Sequence, residues 1–171
     1  MEPHDSDRSM RPRGLRWCRY PFPTGRVYLF ADEERLQHVH LGGALDESAL
    51  REAGTCGPLD AAIAFLDAYL LGRPAPMPPL ALASLSDSVR RIYAELMRIP
   101  FGGTVTYGEL AIRAGIARGA ARFVGTAMAR NPLPIFIPCH RVIRADGSLG
   151  GFSAGVAVKR FLLQHERALA G

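Results

Sequence analysis

A cysteine, a histidine and an arginine follow one another at Cys139-His140-Arg141, inside an apolar run that begins Ile135-Phe136-Ile137-Pro138 and resumes at Val142-Ile143. The flanking pattern reads as buried strand, and reactive polar side chains in such a place are costly unless each finds a partner. The thiolate is the nucleophilic form of cysteine, and a neighbouring cation or base lowers its pKa. His140 and Arg141 supply both kinds of neighbour. Pro138 fixes its own backbone and biases Ile137 towards an extended conformation, so the thiol is presented on a constrained bend. Cys139 is therefore read as a buried nucleophile. A core cysteine beside a chance basic pair remains the bland alternative, since free cysteine is commonly buried and inert.

Helices must position this stretch. Ser86 or Asp87 can cap a helix running to about Arg98, with Val89, Ile92, Tyr93, Leu96 and Met97 inward. Thr106 and Glu109 stand at capping-box spacing before a short helix, Tyr107–Ala114. Gly115 turns the chain, and Arg118–Arg130 forms a second helix. Two short helices joined by a glycine turn make a helix-turn-helix candidate. Ala120, Ala121, Ala127 and Ala129 keep the second helix slim, which suits close approach to a groove; alanine is also simply a good helix former. A loop, Arg144–Gly155, precedes a last helix, Val156–Ala168, with Phe161, Leu162 and His165 near one face.

Ile-Pro-Cys-His-Arg-Val-Ile resembles the active-site signature of the O6-alkylguanine-DNA alkyltransferases, and the resemblance extends from about Ser86 to Glu166. It implies a DNA-repair protein that takes an alkyl group from O6-alkylguanine onto Cys139, once, without a cofactor; O4-alkylthymine is a second conceivable lesion. His140 and Glu166 match the family's histidine and glutamate, which activate the cysteine through a bound water. From sequence alone Glu166 reads as readily as an exposed residue of the last helical turn. Asn131, in Arg130-Asn131-Pro132, matches the asparagine near the thiolate, and equally well a helix-ending residue. Access requires base flipping. Arg122 matches the arginine that enters the stack, and Tyr107 the tyrosine that helps rotate the nucleotide and protonates the guanine ring. Ala121 and Ala127 are expected at the DNA-facing surface. Pro138, Val142, Phe152, Ser153, Ala154 and Lys159 are expected at the substrate pocket, with main-chain groups of Val142 and Ser153 meeting the guanine. Asp87-Ser88 stands where the family often has Phe-Gln, Phe152 where it often has Tyr, and Ala154 where it often has Gly. These departures bear on pocket width, not on the reaction.

The rest of the chain is read as an α/β (α+β) protein. Residues 1–13 form a polar tail and residues 14–72 an N-terminal domain. That domain holds strands Leu15–Tyr20, Arg26–Ala31 and Leu36–Leu41, with turns at Pro21–Gly25 and Asp32–Glu34, and a helix from Pro58 to Leu71. Residues 73–85, rich in proline, are a linker. Residues 86–171 are a mainly helical DNA-binding and transfer domain. They carry 12 Lys+Arg against 5 Asp+Glu, a net +7, whereas residues 1–85 carry 9 against 11, a net −2. A cationic surface around a nucleophile favours a polyanion, nucleic acid first. The expected partner is double-stranded DNA approached from the minor groove, by a monomer.

No apolar run approaches the ~20 residues of a membrane helix, and the start lacks a secretory core, so a cytoplasmic location is expected. Cys18, Cys56 and Cys139 make no disulfide framework. His38 and His40 alternate on one strand, and some family members hold a structural zinc in this half, but the spacing fits no standard metal pattern. The expectation is no metal. Three competing functions are weaker. Non-enzymatic binders of alkylated DNA on this scaffold replace the cysteine, a cysteine hydrolase needs a different geometry from adjacent Cys and His, and regulatory relatives carry an extra cysteine-rich domain.

Overall fold

A computed structural model of the chain describes residues 15–43, 45, 54, 56–117 and 119–170. The expected tail, most of the segment between sheet and first helix, and Arg118 lie outside the described residues.

Short apolar runs build an antiparallel sheet from β1 (Arg16–Phe22), β2 (Gly25–Ala31) and β3 (Leu36–Leu41), in that spatial order, with β2 buried on both faces from Val27 to Ala31. The first turn is tighter than the sequence implied. Pro21 and Phe22 belong to β1, Pro21 pairs with Arg26, and only Pro23-Thr24 forms the connection. Proline is tolerated there because β1 is an edge strand. One sheet face carries Tyr20, Phe22, Val27, Leu29, Val39 and Leu41 into the core. The other carries Trp17, Tyr28 and Phe30, with His38 and His40 beside the last two rings. Cys18 packs on the core side, so it and the two histidines stand on opposite faces and cannot share an ion.

Helix α1 (Gly57–Leu70) buries Leu59, Ala62 and Leu66 in the core it shares with the sheet and turns Tyr69 onto Phe101 and His165. The proline-rich stretch that follows is fastened to the sheet. Leu36 N–H donates to Pro79 O at 2.8 Å, and Ala81 N–H donates to Leu36 O at 3.0 Å.

Ser86 caps α2 (Asp87–Met97), whose buried residues are Ile92, Tyr93 and Leu96. Two residues of strand, β4 (Val105–Thr106), lead into α3 (Tyr107–Arg113), where Thr106 and Glu109 form the expected capping box. Helix α4 (Ala121–Ala129) starts later than Arg118, because Gly119 sits at φ +86° and Ala120 offers no capping side chain. The helix-turn-helix connection is therefore residues 114–120, longer than a minimal glycine turn.

The stretch read as buried strand is mostly not strand. Cys139–Arg141 is one turn of 3-10 helix, and only Val142–Ile143 (β5) is extended, paired in parallel with β4. Helix α5 (Val156–Leu169) closes the chain and buries Lys159, Leu162, Leu163 and Glu166. A single apolar cluster runs from Val27 and Leu66 through Leu96 and Phe136 to Leu162, so sheet and helices share one core. Phe65 of α1 meets Phe136 with ring centroids 5.0 Å apart.

Candidate active site

The turn that presents Cys139 is held from below. Asn131, just past the end of α4, donates from Nδ2 to Ile137 O at 2.8 Å and to Cys139 Sγ at 3.1 Å, while its Oδ1 accepts from Leu133 N–H at 3.0 Å. The amide thus fixes the loop and points a donor at the sulfur. Cys139 N–H donates to Ile137 O at 2.7 Å and Arg141 N–H to Pro138 O at 2.9 Å, which closes the bend. Ile135, a buried β-branched residue, has φ +75°. That conformation costs on the order of 1–3 kcal/mol and persists only where the surroundings enforce it.

A 3-10 turn sends successive side chains in different directions. Cys139 faces the cleft while His140 and Arg141 run back into the protein, both onto Glu166. His140 Nε2 lies 2.6 Å from Glu166 Oε1. Arg141 donates to both carboxylate oxygens at 2.9 Å and, through Nη1, to Ile99 O at 2.7 Å. Gly102 N–H donates to Oε2 and the Tyr69 hydroxyl to Oε1, each at 2.9 Å. Glu166 is wholly buried, not exposed in a last helical turn. Burial alone would raise its carboxyl, but the hydrogen bonds from His140 and Arg141 outweigh that and hold it down to about 2.

An ionised Glu166 only accepts, so His140 Nε2 must carry the proton. Burial lowers the imidazole further, so His140 is neutral and its Nδ1 is a basic lone pair. That atom is buried and has no hydrogen-bond partner among the described residues. The Cys139 thiol is pushed up to about 11 by burial, against the pull of the Asn131 bond and the Lys159 charge. Arg141 does not serve the thiol as the sequence implied, because its guanidinium is committed to Glu166.

Above Cys139 opens a cleft of about 990 Å³. Its walls include Tyr107 at the start of α3, Ala121, Arg122, Gly125 and Ala129 of α4, and Arg144, Phe152 and Ser153 of the glycine-rich loop. Arg122 is exposed and forms no ion pair among the described residues. Tyr107 is half-buried, and burial raises its hydroxyl, with Cys139 adding to the shift.

Five residues expected at these surfaces lie elsewhere. Ala127 faces inward, where its carbonyl accepts from the Tyr93 hydroxyl at 2.8 Å. Pro138 and Val142 are buried beneath the cleft floor. Ala154 leans towards Gly42. Lys159 is wholly buried because its ammonium is needed as a clamp. Its Nζ donates to Val142 O at 2.6 Å and lies 3.5 Å from Gly151 O. Two partners of Glu166 gave no signal in the sequence. Tyr69 reads as one more apolar position of α1, and Gly102 as part of a helix-breaking turn.

Residues 87–168 match the family described as 6-O-methylguanine DNA methyltransferase, DNA binding domain. The curated methylated-DNA–protein-cysteine methyltransferase of Metallosphaera sedula is 31% identical over 156 residues, covering 91% of this chain and 95% of that protein. The protein of that name from Methanothermobacter thermautotrophicus is 45% identical over 87 residues, 51% of this chain and 48% of its own length. The chain thus spans about half the length of that relative and of several others it matches. Among solved structures, the Mycobacterium tuberculosis OGT in complex with DNA superposes with a TM-score of 0.77 at 32% identity, covering 90% of this chain and 94% of that one. The helices α3 and α4 and the cysteine turn fall within the residues matched by the family. The chain belongs to the methylated-DNA–protein-cysteine methyltransferase family.

Proposed function

We propose that this protein repairs DNA by moving a methyl or larger alkyl group from O6 of guanine to Cys139, irreversibly and once per molecule. The observation that carries the reading is Cys139 itself: its sulfur is at the floor of an open cleft, bonded by Asn131, next to a histidine whose far nitrogen is fixed on a buried carboxylate. The bond that forms is Sγ–C and the bond that breaks is O6–C. The thiol proton leaves towards His140 Nδ1 through a bound water. The guanine, released as its keto form, gains a proton on the ring, for which the Tyr107 hydroxyl is the donor at hand. Asn131 stabilises the thiolate as it forms.

The lesion reaches the sulfur only if its nucleotide is extruded. Arg122, exposed on α4 at the cleft wall, fills the vacated stack. Ala121 and Ala129, also on that wall, let the helix lie close in a minor groove. Main-chain groups of Ser153, on the cleft wall, meet the base. The +7 balance of residues 86–171 supplies phosphate contacts. Residues 14–72 buttress this half, and the protein works as a cytoplasmic monomer. The described residues include no helix long and apolar enough to cross a membrane.

The test is mass spectrometry after incubation with duplex DNA carrying O6-methylguanine. One stable methyl on the peptide holding Cys139 is expected. Cys139→Ser should lose transfer entirely and keep DNA affinity, because a serine hydroxyl lacks sulfur's softness and acidity. A label on Cys18 or Cys56, or transfer by the serine variant, would refute the assignment.

A further inference from the structure

The carboxylate behind His140 is shared with a residue from the other half of the chain. Glu166 Oε1 takes three donors: His140 Nε2 at 2.6 Å, Arg141 Nη2 at 2.9 Å and the Tyr69 hydroxyl at 2.9 Å. Tyr69 lies on α1, 97 positions away, and is 5% exposed. Its ring is fixed edge-on to Phe101 at 5.5 Å and tilted against His165 at 5.6 Å. A buried hydroxyl with this aim is not a chance contact, since a phenylalanine would fill the same space without it.

We infer that the Tyr69 hydroxyl is a positioning residue that limits the basicity of His140 and so adds to the burial that keeps the resting Cys139 thiol protonated. The inference rests on the proposed role of Cys139. A carboxylate oxygen has a fixed capacity for donors, and each one that draws on its charge weakens the bond to the others. With Tyr69 in place, Glu166 lends less negative charge to the imidazole. Without it, Oε1 serves His140 and Arg141 alone, His140 becomes the stronger base, and the thiol loses its proton more readily. The other charged groups facing the relay are Arg141 and Lys159, which both disfavour an imidazolium, and His165, whose Nε2 lies 3.3 Å from Tyr69 O and not on the carboxylate. Tyr69→Phe keeps the ring against His165 and removes only the hydroxyl that shares Oε1 with Arg141. The device has a use: a buried thiol that is unreactive until DNA arrives survives longer than a standing thiolate.

The experiment compares the unaltered chain with Tyr69→Phe, which removes one oxygen and keeps both ring contacts. Two readouts are needed. The rate at which iodoacetamide labels Cys139 at neutral pH, followed by peptide mass spectrometry, should rise by about three- to tenfold, the size of a half- to one-unit change in proton affinity. The His140 Nε2 and Nδ1 nitrogen resonances, in protein labelled with 15N-histidine, should shift towards a stronger Nε2–H hydrogen bond. If Tyr69 only supports the fold, labelling stays level or slows and the resonances stay put; either result overturns the inference. Should Tyr69→Phe fail to fold, 3-fluorotyrosine in place of Tyr69 makes a stronger donor and must move both readouts the opposite way. Neither readout uses alkylated DNA. Methyl transfer by the unaltered protein, run alongside, reports separately on the proposed function.

Discussion

Burial holds the Cys139 thiol at about 11, so at neutral pH only about one part in ten thousand would be thiolate without help. The relay exists to change that at the moment of reaction, and Glu166 is its anchor. Five donors converge on that one side chain. Glu166→Gln should therefore cost far more than a lost hydrogen bond. It removes the counter-charge of a buried arginine, and breaking such a pair typically costs about 3–5 kcal/mol. The linkage sign follows from the direction of the shift. The folded carboxyl is held at about 2, below its ordinary 4.5. Its stabilisation is complete above the ordinary value and is lost as pH falls through the folded one. Urea midpoints of the parent protein should accordingly drop between about pH 4.5 and pH 2, and those of Glu166→Gln should drop less. Equal slopes would mean that Glu166 is not the group titrating. Transfer by the variant should fall sharply even where it is folded, since an amide cannot hold His140 in the Nε2–H tautomer with the same strength.

At the scale of elements, two turns and one helix carry the site. Gly102 lies in the turn after α2 at φ +78°, and a Cβ there would meet the Ala170 Cβ at 2.8 Å and Glu166 O at 3.4 Å. Its N–H is also a donor to Glu166. Gly102→Ala should destabilise by more than the roughly 1 kcal/mol of a strained backbone alone, and should slow transfer because the carboxylate shifts with it. A melting point within a degree of the parent would rule this out. Arg122→Ala on α4 should behave differently. Its side chain is exposed and packs on nothing that the fold needs, so stability stays level while repair of duplex DNA slows much more than reaction with free O6-alkylguanine. Equal losses on both substrates would remove Arg122 from base extrusion.

These elements were unevenly legible in the sequence. Thr106 and Glu109 announced α3 because a capping box is local chemistry, and the strands announced themselves as short apolar runs bounded by turn residues. The cysteine turn did not, because a short 3-10 turn set between buried segments carries the same apolar flanks as a buried strand. Ala127 and Ala121 look alike on paper, yet only the position of α4 against Tyr93 decides which one faces the cleft. Glu166 and Tyr69 were the hardest. A carboxylate on a helix and a tyrosine in an apolar stripe gain their meaning from a contact across 97 positions, which no local pattern encodes.

For the molecule as a whole, the shared core sets the consequence of the reaction. No second thiol or hydrolytic group adjoins Cys139 among the described residues, and a thioether is stable, so product should level off at one equivalent per active protein. The alkylated cysteine then sits in a site built for a thiol. Its sulfur loses the capacity to take the Asn131 hydrogen bond at full strength, and that amide also fixes Ile137 and Leu133. The added carbon enters a turn backed by Phe136, Ile137 and Val142, all wholly buried. Overpacking of this kind costs about 1–3 kcal/mol, against a total stability of roughly 5–15 kcal/mol. For a chain of this size, each 1 kcal/mol moves the melting temperature by about 2–4 °C. Methylated protein should therefore melt about 2–12 °C below the free form, and a benzyl adduct lower still unless the group lies wholly in the cleft. The loss should spread to the sheet half as well, because Phe136 packs on Phe65 of α1. Amide hydrogen exchange should accelerate in α1 after reaction, not only in the cysteine turn. Exchange changes confined to residues 131–143 would show that the strain stays local, and an unchanged melt would show that the cleft absorbs the alkyl group without cost.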